Sequence, residues 1–449
     1  MKCKFFVLIG ILCLLLAVFA TRSAQAQTSE TLYTFTGNPD GAGPWNAPLL
    51  DVNGTLYGAT GYGGVNGWGT VYKLNSKGNE TVLYSFCSAA NCADGLLPES
   101  NLLQDWQGNF YGVAIFGGNT TSANCLSYFY GCGTLFKLDQ KGNLTVLYTF
   151  TGGADGNLPQ GLTMDFAGNL YGITFNGGDL NCPIPQTPPG CGVLYKLDTR
   201  GKFTVLYTFT GGADGGVLND YLTLDWAGNI YGVTLQGGNP ADCTQYGQIG
   251  CGTVFKLDKR GKLTTLYTFT GLADGWNADG PLVLDPWGNL YGTTTNGGDL
   301  NCNAPNGCGV VYKLTTAGKY KVLHTFTGAP DGALPPTGLM GDGYGNLYGV
   351  TEWGGNSADC SWSAGLPPPI PPPGCGTVFK LDARGHFTVL YTFAGLADGA
   401  APGSAPIMDW KGDLYGNTYY GGDFSCISYY YPYGCGVVYK LAPGRQDQR

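Results

Sequence analysis

Thr31-Leu-Tyr-Thr-Phe35 near the start of the chain and Val437-Val-Tyr-Lys-Leu441 near its end decide the fold. Each is a fragment of one repeating unit, and the first supplies what the second lacks. The whole unit is clearest between residues 281 and 327. Pro281-Leu-Val-Leu-Asp285 is a short apolar run, strand a. Leu290-Tyr-Gly-Thr-Thr294 is strand b, Val310-Val-Tyr-Lys-Leu314 strand c, and Tyr320-Lys-Val-Leu-His-Thr-Phe326 strand d. Each run is β-branched or aromatic and bounded by turn residues, as strands are. No 3.6-residue apolar period runs for ten residues without a Gly, which disfavours helix.

The unit recurs, which sets the architecture. The Tyr of D-x-x-G-N-L-Y-G falls at Tyr57, Tyr111, Tyr171, Tyr231, Tyr291, Tyr348 and Tyr415, and seven copies fill the chain. The turns after strands a and c share one device. Asp opens a type I turn, and Gly takes the positive φ that closes the hairpin, as at Asp139…Gly142 and Asp258…Gly261. Each repeat is therefore a four-stranded antiparallel meander. The chain opens on a lone strand d and finishes on a strand c without its d. A propeller closes its ring in this way, the N-terminal strand completing the last blade, whereas a solenoid carries polar capping repeats. The expected fold is all-β, a seven-bladed β-propeller of 28 strands with residues 31–35 paired to 437–441.

The recurring G-C-G-T-V-F-K-L-D, L-Y-T-F-T-G and D-x-x-G-N-L-Y-G segments resemble the GloVer tandem-repeat family of secreted bacterial proteins across residues 31–441. The family carries no established activity, so the resemblance implies fold and export rather than chemistry. Its members often end in a sorting anchor, and this chain departs from that pattern with a short polar tail. The D-x-x-G-N-L-Y turn is also similar to NHL-type propellers.

Composition narrows the chemistry. A net charge of −8 over 449 residues speaks against a nucleic-acid partner. Two His and four Glu leave little from which to build a His triad, a His-ligated metal or a Glu pair. Lys2, Lys4, the apolar stretch 5–20 and Ala24-Gln25-Ala26 read as a signal peptide. The expected organisation is a signal peptide over 1–26, a propeller over 27–441 and a polar tail over 442–449. No later stretch is apolar enough to span a bilayer. A monomer with a secreted, periplasmic or cell-surface address is expected.

Cys3 and Cys13 leave with the signal. The other fourteen Cys fall in local couples: Cys87 with Cys92, Cys125 with Cys132, Cys182 with Cys191, Cys243 with Cys251, Cys302 with Cys308, Cys360 with Cys375, and Cys426 with Cys435. An even count in an exported chain reads as disulfides. A metal would need thiolates in fours or joined by His, and the ring spreads these couples apart. Six couples lie in b–c loops and the first in a d–a loop. Those loops share one face, opposite the tight a–b and c–d hairpins. The longest, in the sixth repeat, carries Pro367-Pro-Pro-Ile-Pro-Pro-Pro373, a polyproline II run.

Variable loops on a rigid scaffold usually carry function. Trp68, Trp276, Glu352, Trp353, Tyr419 and Tyr420 are the candidate ligand-binding residues, and Trp45, Tyr128, Phe129, Tyr130, Trp362 and Tyr429 to Tyr431 are further loop aromatics. Packing of the stapled loops is the competing reading of the same rings. The Asp of T-G-x-x-D-G (Asp40, Asp155, Asp214, Asp274, Asp331, Asp398, and Asp94 in a variant) is either a turn residue or part of a carboxylate ring for Ca²⁺, and its repetition favours the turn. A structural Ca²⁺ is the one cofactor considered, and none is expected. Seven strand-c Lys, from Lys73 to Lys440, are expected to bond between blades, and His324 to replace a packing Tyr. The expected function is an exported binding protein holding a saccharide or a surface protein on the loop face. The alternative is a propeller polysaccharide lyase or glycosidase with Glu352 as acid or base.

Overall fold

The computed structural model describes residues 29–118, 125, 131–186, 188–218, 221–356, 360, 374–426 and 433–442. The signal segment, residues 128–130, Trp362, the proline-rich run, residues 429–431 and the tail from 443 lie outside the described residues. The strands form seven antiparallel sheets, one per repeat, with neighbours in the order a–b–c–d. Ser29–Thr34 pairs with Val437–Leu441, from Ser29 opposite Leu441 to Thr34 opposite Val437. The ring thus closes as the split repeat predicts. The last blade divides its strand a into Ala400–Pro402 and Ile407–Met408, so the described residues hold 29 strands rather than 28.

The core lies between the sheets. The Phe that ends each strand d meets, edge to face, the ring at the middle of strand c in the next blade. The pairs are Phe35–Tyr72, Phe86–Phe136, Phe150–Tyr195, Phe209–Phe255, Phe269–Tyr312, Phe326–Phe379 and Phe393–Tyr439, with centroids 5.1–5.5 Å apart. All fourteen rings are fully buried. This geometry suits the aromatic quadrupole and adds to the area buried. It also explains the last Gly of the repeat motif. A methyl at Gly292 would stand 2.6 Å from the Tyr312 hydroxyl, and Gly112, Gly232 and Gly349 lie equally close under Phe136, Phe255 and Phe379.

A second, outer stack joins neighbouring d strands: Tyr148–Phe203 at 3.8 Å, Tyr267–Tyr320 at 4.2 Å and His324–Phe387 at 3.6 Å. Glu80 takes that place in blade one, the first residue of strand d. Its Oε1 is buried with no hydrogen-bond partner among the described residues. Burial, helped by Asp40, pushes its carboxyl up to about 7.

One side chain fills the axis. The residue two before the a–b pairing with the motif Tyr is Ala47, Asn101, Gly161, Tyr221, Pro281, Gly338 or Ala405. Only Tyr221 is large. Its hydroxyl donates to Asn46 Oδ1 of blade one at 2.9 Å and accepts from the Asn101 amide of blade two at 2.6 Å. A residue of blade four that touches blades one and two crosses the centre.

Two substitutions test this framework by chemical denaturation. Gly292→Ala should lower stability by about 1–3 kcal/mol, because a methyl overpacks the Tyr312 site. Glu80→Phe should raise it by about 1 kcal/mol by completing the outer stack. A neutral Gly292→Ala, or a destabilising Glu80→Phe, contradicts the packing described.

Candidate functional site

On the loop face all seven Cys couples are disulfides with the expected partners. Cys87 bonds Cys92, Cys125 bonds Cys132, Cys182 bonds Cys191 and Cys243 bonds Cys251. Cys302 bonds Cys308, Cys360 bonds Cys375 and Cys426 bonds Cys435. Among them Cys132, Cys191, Cys251, Cys375 and Cys435 are buried.

The candidate rings are buried or half-buried. Trp276 is 7% exposed, stacks on Tyr246 at 4.7 Å and donates its indole N–H to the Asn306 carbonyl at 3.2 Å. Trp353 is equally buried, in a cluster with Cys308, Phe326, Ala333 and Leu339, and its indole bonds the Glu352 carboxyl. Tyr419 meets Trp45 edge to face at 5.0 Å and Tyr420 at 4.7 Å. Trp68, Tyr419 and Tyr420 are half-buried. Burial pushes the Tyr420 hydroxyl up to about 12. The loops bring Glu352 beside Trp353, and leave Trp68 in blade one and Trp276 at the start of blade five.

The repeated Asp are hubs of the d–a turn. Asp40 accepts from the Tyr33 hydroxyl at 2.7 Å and from the Thr36 amide and hydroxyl at 3.0 and 2.8 Å. Asp155, Asp214 and Asp274 repeat the pattern with Tyr148, Tyr207 and Tyr267. In blade five His324 replaces the Tyr and bonds Asp331 at 2.9 Å. Each strand-c Lys makes a contact within its own blade, where one between blades is expected from the sequence. Each ammonium lies over the strand-b Tyr of its own blade, from Lys313 on Tyr291 at 5.0 Å to Lys73 on Tyr57 at 5.9 Å. The b–c register forces this, since it sets each Tyr opposite its Lys.

Two carboxyls are buried beside b–c loops. Glu352 and Gly61 hold the same place, just before the residue that precedes the Gly-Gly of a b–c loop, and Glu99 of blade two lies against Gly61. Burial pushes both Glu99 and Glu352 up to about 7, with the Trp353 bond opposing it at Glu352.

The hairpin face carries the most exposed of the large apolar side chains. Val52, Trp106, Phe166, Trp226, Trp287, Tyr344 and Trp410, one per blade and six of them rings, are 79–99% exposed at the tips of the a–b turns. In blades five and six Pro286 and Gly343 take the usual position, and the aromatic moves one residue on. Phe166 and Trp226 of adjacent blades stack at 5.1 Å above a groove of about 630 Å³. A second groove, about 790 Å³, runs across blades seven, one and two beside Trp410, Lys411, Asn53 and Asn75.

The turn does not require these rings, because the c–d turns have the same backbone. Asp105 Oδ1 accepts from the amides of Gln107 and Asn109, and Gly108 has φ +79°. Asp139 Oδ1 accepts from the amides of Lys141 and Asn143, and Gly142 has φ +86°. The a–b series carries Trp, Phe and Tyr at its two free positions, and the c–d series carries mainly Lys, Arg, Ser and Thr. Reading D-x-x-G-N as a turn signature hides this crown in its two unspecified positions. Setting the a–b and c–d turns side by side reveals it.

A closed ring of seven blades with the same edge-to-face ring contact at every seam defines a single-repeat propeller. The chain belongs to the Gloeobacter/Verrucomicrobia repeat family, whose model matches residues 17–184 and 186–430. No curated protein matches it. Among solved structures the chain is similar to a catalytically inactive virginiamycin B lyase from Staphylococcus aureus with quinupristin. The identity is 13% and the TM-score 0.50, over 93% of this chain and 100% of that one. It is also similar to a protein described as the extracellular domain of a putative hybrid two component system, BT4673, from B. thetaiotaomicron. There the identity is 10% and the TM-score 0.50, over 94% of this chain and 43% of that one. At these identities the likeness shows the fold alone.

The raised carboxyls give a pH test. The folded protein holds the Glu352 and Glu99 protons to about 7, whereas an unfolded chain releases them near 4.5. Folded protein therefore binds more protons between those values, and stability falls as pH rises through that window. Glu352→Gln and Glu99→Gln should each raise the melting temperature above pH 7 and leave it unchanged at about pH 4. Effects that do not change with pH contradict the burial of these carboxyls.

Proposed function

We propose that the chain is an exported binding protein whose ligand is a saccharide, held on the aromatic crown of the hairpin face. The observation that carries this reading is the contrast between two turn series of one backbone, of which only the inner displays aromatics. Exposed apolar side chains grouped on one surface mark an interaction site. Flat rings beside grooves lined by Asn, Asp and Lys suit sugars, whose C–H faces stack while their hydroxyls hydrogen-bond. Export is supported by the seven disulfides, which persist in oxidising compartments, and by the N-terminal basic, apolar and A-x-A pattern. The loop-face candidates are weaker anchors, because Trp276 and Trp353 already commit their surface to packing.

A second reading, a polysaccharide lyase or glycosidase, rests on Glu99 and Glu352, two buried carboxyls raised to about 7. New sugar ends formed from a bound polysaccharide, and lost in Glu352→Gln with affinity retained, would favour it.

A glycan array followed by titration tests the binding reading. Trp226→Ala and Trp410→Ala should each weaken a saccharide by roughly thirtyfold if they are anchors, and leave the melting temperature unchanged, since both rings are exposed. Leu272→Ala, an exposed apolar change on the other face, should leave binding intact. Trp353→Ala should instead unfold the protein more easily, by about 3–5 kcal/mol. Binding that survives both crown variants but is lost in Trp68→Ala moves the site to the loop face.

A further inference from the structure

The cations gather towards one face, and their placement bears on which saccharides the crown takes; this inference rests on the binding reading above. The b–c and d–a connections contain no Lys or Arg in sequence, and their described residues hold thirteen carboxylates, none of them exposed. All eighteen Lys and Arg between residues 29 and 442 lie in strand c, in the hairpin turns or at the start of strand d, towards the crown. Eleven of these are exposed. That half has fourteen carboxylates, and Glu30 is the one among them that is exposed. The turn Asp are drawn in by backbone amides, as Asp198 is by those of Arg200 and Lys202, each at 2.9 Å. What faces solvent is an outer ring of cations, including Lys77, Lys141, Arg200, Arg260 and Arg384, around the inner aromatics.

We propose that the crown takes an acidic polysaccharide, one bearing carboxylate or sulfate groups along its length. Its sugar rings stack on the turn aromatics, and its anions meet the surrounding Lys and Arg. The b–c and d–a connections of the opposite face hold no Lys or Arg and so offer the polymer no such partner. The grooves under Phe166 and Trp226 and beside Trp410 and Lys411 favour a polymer chain over a membrane, because a bilayer surface enters no groove.

The test uses the disulfide-bonded mature chain with four probes: polygalacturonate, dextran sulfate, neutral dextran and phosphatidylglycerol vesicles. Both acidic polymers should bind at low salt and weaken about tenfold or more on passing physiological ionic strength, as screened charges do. Dextran should bind far less. A triple variant, Lys141→Ser with Arg200→Ser and Arg260→Ser, should weaken the acidic polymers by at least about tenfold with an unchanged melting temperature. Trp226→Ala should weaken them too. Dextran binding equal to that of the acidic polymers and insensitive to salt overturns the acidic-ligand inference and leaves the saccharide reading standing. Salt-sensitive binding that ignores both the triple variant and Trp226→Ala puts the polymer elsewhere and overturns the inference. Vesicle binding without polysaccharide binding, or no binding to any probe, overturns both.

Discussion

An edge-to-face contact between a Phe that ends one blade's outer strand and a ring at the middle of the next blade's third strand sets the spacing of the whole molecule. Seven such contacts leave each sheet defined by its neighbours, because no blade can bury its own faces. The contact makes two demands on sequence. The ring on strand c needs space beneath it, which only Gly at the strand-b position leaves. The last seam needs a partner from the other end of the chain, which Phe35 provides by packing on Tyr72 once Ser29–Thr34 has joined the seventh blade. Strand pairing and ring packing therefore close the same seam, one through backbone hydrogen bonds and one through aromatic burial.

Once that spacing is set, the two ends of the blades obey different constraints. At the loop end the connections are long, rich in Gly and poor in strand, so they must be held by other means. Asp hubs tie each d–a turn to the preceding strand, and six of the seven disulfides close b–c loops, as Cys243 with Cys251 does. Closing a loop of some eight residues removes about 2.5 kcal/mol of chain entropy in the usual model. Trp276 and Trp353 fill the space beneath those loops. At the hairpin end the turns are short, and Asp and Gly alone satisfy their backbone. The axis itself is closed by Tyr221, whose hydroxyl bridges Asn46 and Asn101.

Much of this architecture is legible in the chain. The period, the split repeat and the Cys couples are local or strictly repeated, so no knowledge of distant contacts is needed to read them. The sites are harder for a physical reason. Trp353 follows a strand and Trp276 opens one, and neither position says whether a ring points to water or into the blade. Here both rings pack inward. The strand-c Lys read as seam residues because each blade repeats them, yet the b–c register places each over the Tyr of its own sheet. Tyr221 gives no signal in the sequence, because a single large residue among Ala, Asn, Gly and Pro acquires meaning only when seven inner positions converge. The crown is hidden because a turn motif is defined by its constrained residues, and the rings occupy the unconstrained ones.

That last point bears on how function can be separated from folding in a repeat protein. At a consensus position, repetition is uninformative, because the blade demands the residue whether or not a ligand exists. Asp105 and Asp139 hold identical turns on the same face, and the backbone gains nothing from the ring of Trp106 that it does not have with Gln140 and Lys141. An apolar ring held almost wholly in water also loses the hydrophobic gain that burial would bring. Folding therefore gives no account of Trp106, Trp226 or Trp410. The same comparison explains why cations collect outside them: the outer turns share that freedom and fill it with Lys and Arg, while the Asp that both series require are drawn into backbone bonds. The face is thereby apolar at its centre and cationic at its rim, although the chain as a whole carries a net charge of −8.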